Sequence, residues 1–187
     1  MSFNGLAVLA GSGMLAVLGT PVAFGQVGRS FVVSSFEHGI AGWVTNDAIK
    51  NSGKTKDTPL VSVARSTEAH SGTGSLQVSF HPGQGWAGAY ISLATMRDQW
   101  ADAAVDELAF WMKGDGQAKE VTIRLQAWND QHVTAFFGVP VSLKDTAWHE
   151  VVIPLKSFQA ANPGTPLRLP SFHAFQVDGS GEIGPAT

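Results

Sequence analysis

The stretch VTIRLQAWND, residues 121–130, alternates Val121, Ile123, Leu125 and Ala127 with Thr122, Arg124, Gln126 and Trp128. A period of two is that of a β-strand with one apolar and one polar face. The polar face sets a guanidinium, an amide and an indole in a row. Guanidinium and amide groups are planar and hydrogen-bond to paired hydroxyls, carboxylates or sulfates, and an indole offers a flat apolar surface. Sugars present both complements, hydroxyls at their edges and C–H patches on their faces. Apolar platforms with a few placed polar groups are the composition of a small-ligand site. The plainer alternative is that Trp128 covers the end of a sheet with Arg124 as its solvated neighbour, since single exposed aromatics are common.

The same alternation supplies companions from other strands. Ala89, Ile91 and Leu93 point inward, so Tyr90 points out. Val133, Ala135 and Phe137 point inward, so His132, Thr134 and Phe136 point out. Phe175 and Val177 bracket an outward Gln176. The candidate ligand-binding set is therefore Tyr90, Arg124, Gln126, Trp128, His132 and Gln176, with Trp86 and Phe136 at its margins. Trp86 follows a Pro-Gly-Gln-Gly loop. It reads equally as a rim that closes over a ligand and as a plug over the end of the fold. A one-residue slip in register would invert any one of these strands.

Other chemistries find little footing. The chain has six His, but none sits at a zinc-ligand spacing from another. Asp102, Asp106 and Glu107 lie at a loop-to-strand entry with no opposing carboxylate to complete a glycosidase pair. There is no G-x-S-x-G elbow and no phosphate-binding loop. A net charge of −3 gives no electrostatic case for nucleic acid or anionic lipid. With no Cys there is neither disulfide nor thiol chemistry.

The elements that must position these residues are short. The 187-residue length suits one domain with its own core. Nine β-like runs, at residues 31–36, 60–65, 75–80, 88–93, 107–113, 120–128, 133–143, 148–154 and 172–177, are separated by turn-rich segments. No segment keeps a helical period, and residues 101–107 make at most a turn or two of helix. The pattern predicts an all-β sandwich of jelly-roll type. Ahead of it, residues 1–28 contain no charged side chain, and residues 6–24 are apolar and rich in small residues. This reads as a secretory leader with cleavage near Ala23–Gln26, leaving 29–187 as the folded module of a secreted or periplasmic protein with no membrane attachment once the leader is removed. The departure is the start, MSFNG, which has no Lys or Arg; the alternatives are a membrane anchor, which Gly11, Gly13, Gly19 and Pro21 interrupt, and a buried N-terminal segment.

Four blocks then add a resemblance. FEHGIAGW (36–43), HSGTGSLQVSF (70–80), LAFWMKGDG (108–116) and WHEVVIPLKSF (148–158) occur in that order. They resemble the corresponding blocks of β-jelly-roll carbohydrate-binding modules of the galactose-binding-like superfamily, most closely family 11 and the related CIA30-like domains. Trp43, Trp111 and Trp148 fall inside the blocks and read as structural. The resemblance implies a concave sheet face that binds a polysaccharide chain without catalysis and targets a covalently attached glycan-active enzyme. It also implies a structural calcium near Glu37, held by a carboxylate and by carbonyls of the first strand and the Ser-Gly turn. The family's final strand, which supplies a further Asp to that calcium, has no counterpart in GSGEIGPAT, and the chain reads as one module of a longer polypeptide. Two rivals remain at this stage: a jelly-roll polysaccharide lyase or hydrolase using Tyr90, Arg124 and His132, and a CIA30-like protein-assembly domain.

Overall fold

The computed structural model describes residues 2–10, 31–47, 60–81, 83–93, 105–116, 120–128, 134–161, 172–179 and 182–183. The strands are β1 (Ser2–Ala10), β2 (Phe31–Ser34), β3 (Trp43–Asp47), β4 (Val61–Ser66), β5 (Ser75–Phe80), β6 (Gly83–Gln84) and β7 (Ala87–Ser92). They continue with β8 (Glu107–Lys113), β9 (Glu120–Trp128), β10 (Thr134–Ser142), β11 (His149–Pro154), β12 (Gln159–Ala160), β13 (Phe172–Gly179) and β14 (Glu182–Ile183). All nine expected runs are strands. The helical turn in this set is the 3-10 segment Leu155–Ser157; no helix among the described residues is long and apolar enough to cross a membrane.

Two six-stranded antiparallel sheets pack face to face. The first runs β11-β8-β1-β5-β4, with β2 also paired to β1. The second runs β12-β10-β9-β13-β7-β3. Alternation explains the sandwich. Leu76, Val78 and Phe80 of β5 and Leu108, Phe110 and Met112 of β8 are buried, as are Val121, Ile123, Leu125 and Ala127 of β9 and Phe175 and Val177 of β13. Each sheet thus has one inner apolar face, and burying the two against each other is the main favourable term in the fold. Trp43 joins this core, edge-on to Phe175 with ring centroids 5.9 Å apart. Trp111 and Trp148 are half-buried and gather round His70, whose ring stacks on Trp111 at 3.5 Å.

Five strands lie outside the nine expected runs: the two-residue β6, β12 and β14, and the longer β1 and β3. β3 was not among the expected runs, because WVTND is short and runs into a polar stretch. More consequentially, the sheet crosses the boundary expected at residue 28: Ser2–Ala10 pairs with β5 on one side and β8 on the other. An apolar run of small residues serves equally as a leader core or as a central strand, since both exclude charge. The rest of the expected leader lies outside the described residues, as do residues 101–104 of the expected helical turn.

Candidate functional site

The outward face of the second sheet is a lattice of cross-strand neighbours. Backbone pairing sets Asn46, Gly88, Asp178, Thr122 and Pro140 in one row from β3 to β10. The next row is Val44, Tyr90, Gln176, Arg124 and Gly138. A third holds Ser92, Ala174, Gln126 and Phe136. Neighbours in such rows stand within side-chain contact of one another. The rows line a groove of about 640 Å³ bordered by Asn46, Trp86, Tyr90, Ser92, Arg124, Gln126, Phe136, His173, Ala174 and Gln176, a volume typical of ligand sites.

Six of the eight sequence-predicted ligand residues thus meet in one groove: Trp86, Tyr90, Arg124, Gln126, Phe136 and Gln176. Trp128 ends β9 with its backbone opposite Thr134, but its side chain, and the whole of His132, lie outside the described residues. Trp86 and Phe136 are each 37% exposed, large apolar rings left open to solvent. Phe136 lies under the Arg124 guanidinium, whose central carbon is 5.3 Å from the ring centroid; a cation over an aromatic face is held there electrostatically.

The floor of the groove is a polar chain that begins on a residue the strand pattern omitted. Asp178 is 2% exposed. One of its carboxylate oxygens is ion-paired with Nη1 of Arg124 and the other accepts from Nε2 of Gln176. Oε1 of Gln176 in turn accepts from Nε2 of Gln126. Burial pushes the Asp178 carboxyl up to about 6, with Arg124 and Gln176 pulling it the other way. Gln176, expected as an outward ligand group, is on the expected face but 5% exposed, and both ends of its amide are used within the protein. A signal for Asp178 was present: it is two residues beyond Gln176, the next outward position of the same strand. His173 enters the groove through a register irregularity between Phe172 and Ala174, which no periodicity predicts. Asn46 comes from β3, the strand left out of the sequence reading.

Glu37 stands apart from this groove. Its carboxylate accepts from the backbone N–H of Thr73 at 3.0 Å and from Thr73 Oγ1 at 2.8 Å, and these bonds lower its pKa. Gly72, with φ +71°, lies directly beneath it, where any Cβ would collide with the carboxylate. The oxygens that calcium would need are close together here, but a cation of the chain already lies among them. Arg65 Nε donates to the Phe36 carbonyl at 3.0 Å, and Nη2 to the Thr73 carbonyl and hydroxyl at 3.0 Å each and to the Glu37 carbonyl at 3.3 Å. Among the described residues no group of three or more His, Cys, Asp or Glu side chains gathers to hold a metal. The residues therefore fit a guanidinium in place of a divalent ion.

Residues 20–181 match the family model of the carbohydrate binding domain, family 11. The chain belongs to that family. The family 11 domain is accordingly a carbohydrate-binding module, and its β-sandwich agrees with a solved relative. That structure is a family 11 carbohydrate-binding module from Clostridium thermocellum in complex with a β-1,3-1,4-mixed-linked tetrasaccharide. It superposes with a TM-score of 0.59 at 17% identity, over 81% of this chain and 87% of that one. At that identity the likeness is one of fold. No curated protein sequence matches the chain.

Proposed function

We propose that this family 11 module binds a polysaccharide chain along the outer face of its second sheet, without itself cleaving it. The observation that carries this reading is the convergence of Trp86, Tyr90, Arg124, Gln126 and Phe136 from three strands and a loop on one open groove. The rings stack on sugar C–H faces, and Arg124 and Gln126 take hydroxyls. The groove is open, so bound water must be displaced with little surplus, and affinity falls roughly in the micromolar to millimolar range. The module's task is to hold an attached glycan-active enzyme near its substrate by raising effective concentration. The relative's ligand makes a β-1,3-1,4-mixed-linked glycan the first to try.

Affinity electrophoresis through gels containing mixed-linkage glucan, alongside a glycan array, tests the reading. Retardation is expected for the parent chain and is expected to be lost in Arg124→Ala and reduced about tenfold in Trp86→Ala, the worth of one stacked ring. A parent chain that no glycan retains, or an Arg124→Ala variant retained like the parent, sinks it. A lyase reading asks Arg124 to neutralise a substrate uronate, and the ion pair to Asp178 weighs against that.

We propose export on the composition of residues 1–28. Residues 2–10 of that stretch form β1, between β5 and β8 in the first sheet, so a processed molecule has lost β1 and an unprocessed one keeps it. Intact mass of the protein recovered from an expressing cell separates the two, with a start near Gly25 or Gln26 supporting export and a retained Ser2 opposing it.

A further inference from the structure

We propose that Asp178 is the positioning residue of this groove and sets its charge, so that the groove takes neutral glycans while the Asp178–Arg124 pair stands and uronate or sulfate glycans once that carboxylate is neutral. The inference rests on the binding-face reading above. Its physical basis is the direction of the polar chain. A carboxylate only accepts hydrogen bonds, so Gln176 must turn its Nε2 toward Asp178 and its Oε1 toward Gln126. That oxygen can only accept, so Gln126 must turn its Nε2 to Gln176 and is left to present its Oε1. One buried carboxylate thereby orients two amides that would otherwise be free to flip. The groove then offers donors from Arg124 beside an acceptor from Gln126, the pairing a sugar hydroxyl uses.

The same carboxylate cancels the charge of Arg124, whose side chain is 29% exposed to the groove while Asp178 is 2% exposed. An anionic sugar reaching Arg124 would put a second carboxylate beside a buried one, and like charges in a partly dry site repel strongly. The arrangement is built into the backbone. Gly88 faces Asp178 across the β7–β13 pair, and a Cβ there would overlap both the Asp178 carboxylate and the Gln176 amide. Burial also holds the carboxyl up near pH 6, so mild acid discharges it. The other titratable side chains on this face, among the described residues, are Tyr90 on β7 and His173 on β13; Glu120 is exposed at the far end of β9, and β3 and β10 present none.

The test titrates the intact chain and Asp178→Asn with two probes, a mixed-linkage glucan tetrasaccharide and an oligogalacturonate, at pH 7.5 and pH 5. The parent is expected to prefer the neutral probe at pH 7.5 and to lose about tenfold of that preference at pH 5. Asp178→Asn is expected to prefer the uronate at both pH values, with a salt-sensitive affinity. An Asp178→Asn variant with the parent's preference overturns the inference, and so does a parent whose preference is flat between the two pH values; the second readout stands even if the variant does not fold. Binding lost in Arg124→Ala but unchanged in Asp178→Asn removes this inference alone, whereas a parent that binds neither probe removes the binding face with it.

A separate observation carries a second inference: we infer that Arg65 is the built-in cation of the Glu37 cluster, making that corner of the fold independent of calcium. One guanidinium donates to three carbonyls and a hydroxyl drawn from the 36–37 turn and the 73–74 turn. Gly74 beneath it leaves no room for a Cβ beside the guanidinium. Calcium at 2.3–2.6 Å from the same oxygens and Arg65 in this place exclude each other. Thermal melts of the parent in CaCl₂ and in EDTA are expected to coincide, and Arg65→Ala is expected to melt roughly 2–6 °C lower in both. A calcium-dependent rise in the parent that Glu37→Gln abolishes overturns this, as does an Arg65→Ala variant as stable as the parent. Should Arg65→Ala fail to fold, Arg65→Lys, which keeps the charge but loses the fork, is expected to fall between them.

Discussion

Two carboxylates of this protein respond to acid in opposite senses. Asp178 has a folded pKa raised to about 6 from an ordinary 3.8, chiefly by burial. Between those values the folded state binds the proton more readily than the unfolded chain. Its contribution to stability is therefore fully present below pH 4 and is lost as pH rises through 6, a change on the order of 3 kcal/mol by linkage. Glu37 is the reverse case: its pKa is held down by the Thr73 bonds, so its contribution is present at neutral pH and fades as pH falls below the ordinary carboxylate range. Melting curves from pH 4 to pH 7 should show parent stability falling relative to Asp178→Asn as pH rises, and curves taken from about pH 5 down to about pH 2 should show it falling relative to Glu37→Gln as pH drops. Parallel curves for either pair would count against the assignment for that residue. Asp178 also marks where local reading stops. Tyr90, Arg124, Gln126 and Phe136 were legible because each is bracketed by apolar neighbours on its own strand. Asp178 precedes a Gly-Ser-Gly run that looks like a turn, and its importance comes from Gly88, ninety residues earlier in the chain and opposite in the sheet.

At the scale of the element, the groove depends on which positions are small. Gly88 and Ala174 sit on the paired strands β7 and β13, and Gly138 on β10 across β9 from them, each between bulky or polar partners. A Cβ at Gly138 would stand 2.7 Å from Cγ2 of Thr122. Gly88→Ala must displace a buried ion pair, so it is expected to cost about 1–3 kcal/mol of stability and to weaken glycan binding together. Denaturant titration reads the first and affinity electrophoresis the second; full binding at reduced stability would dissociate Gly88 from the site. The core behaves differently, because Phe110 and Phe137 are fully buried between the sheets. Phe137→Ala should cost about 3–5 kcal/mol while leaving the groove lining intact, so the folded fraction should still bind. Strand existence was readable for the nine expected runs, since period two needs only neighbours along the chain, but not for β1, β3 or the two-residue β6, β12 and β14. Strand ends were less so: β2 stops at Ser34 because Phe36 takes a φ of 60°, a left-handed turn that no hydrophobic pattern announces.

At the scale of the whole molecule, the order of strands was not legible at all. Period two says which face a residue takes and nothing about its neighbour across the sheet. The four family-like blocks named the architecture, and they could do so because blocks of this kind record long-range packing that a single strand does not. Neither source placed Ser2–Ala10. Its backbone pairs with Leu76–Ser79 of β5 through residues 2–5 and with all of β8 through residues 4–10. A chain shortened to begin at residue 26 would therefore have two strand edges facing an empty lane in the middle of a sheet, with the flanking strands still anchored in the core. Such a lane is a template for a strand from elsewhere. A synthetic SFNGLAVLA peptide should fill it and raise the melting temperature of the shortened chain, and without the peptide that chain should self-associate on a sizing column. The feature that makes β1 hard to read, an apolar segment with no charge of its own, would then make the module a strand acceptor whose last step of folding is completed by a second polypeptide.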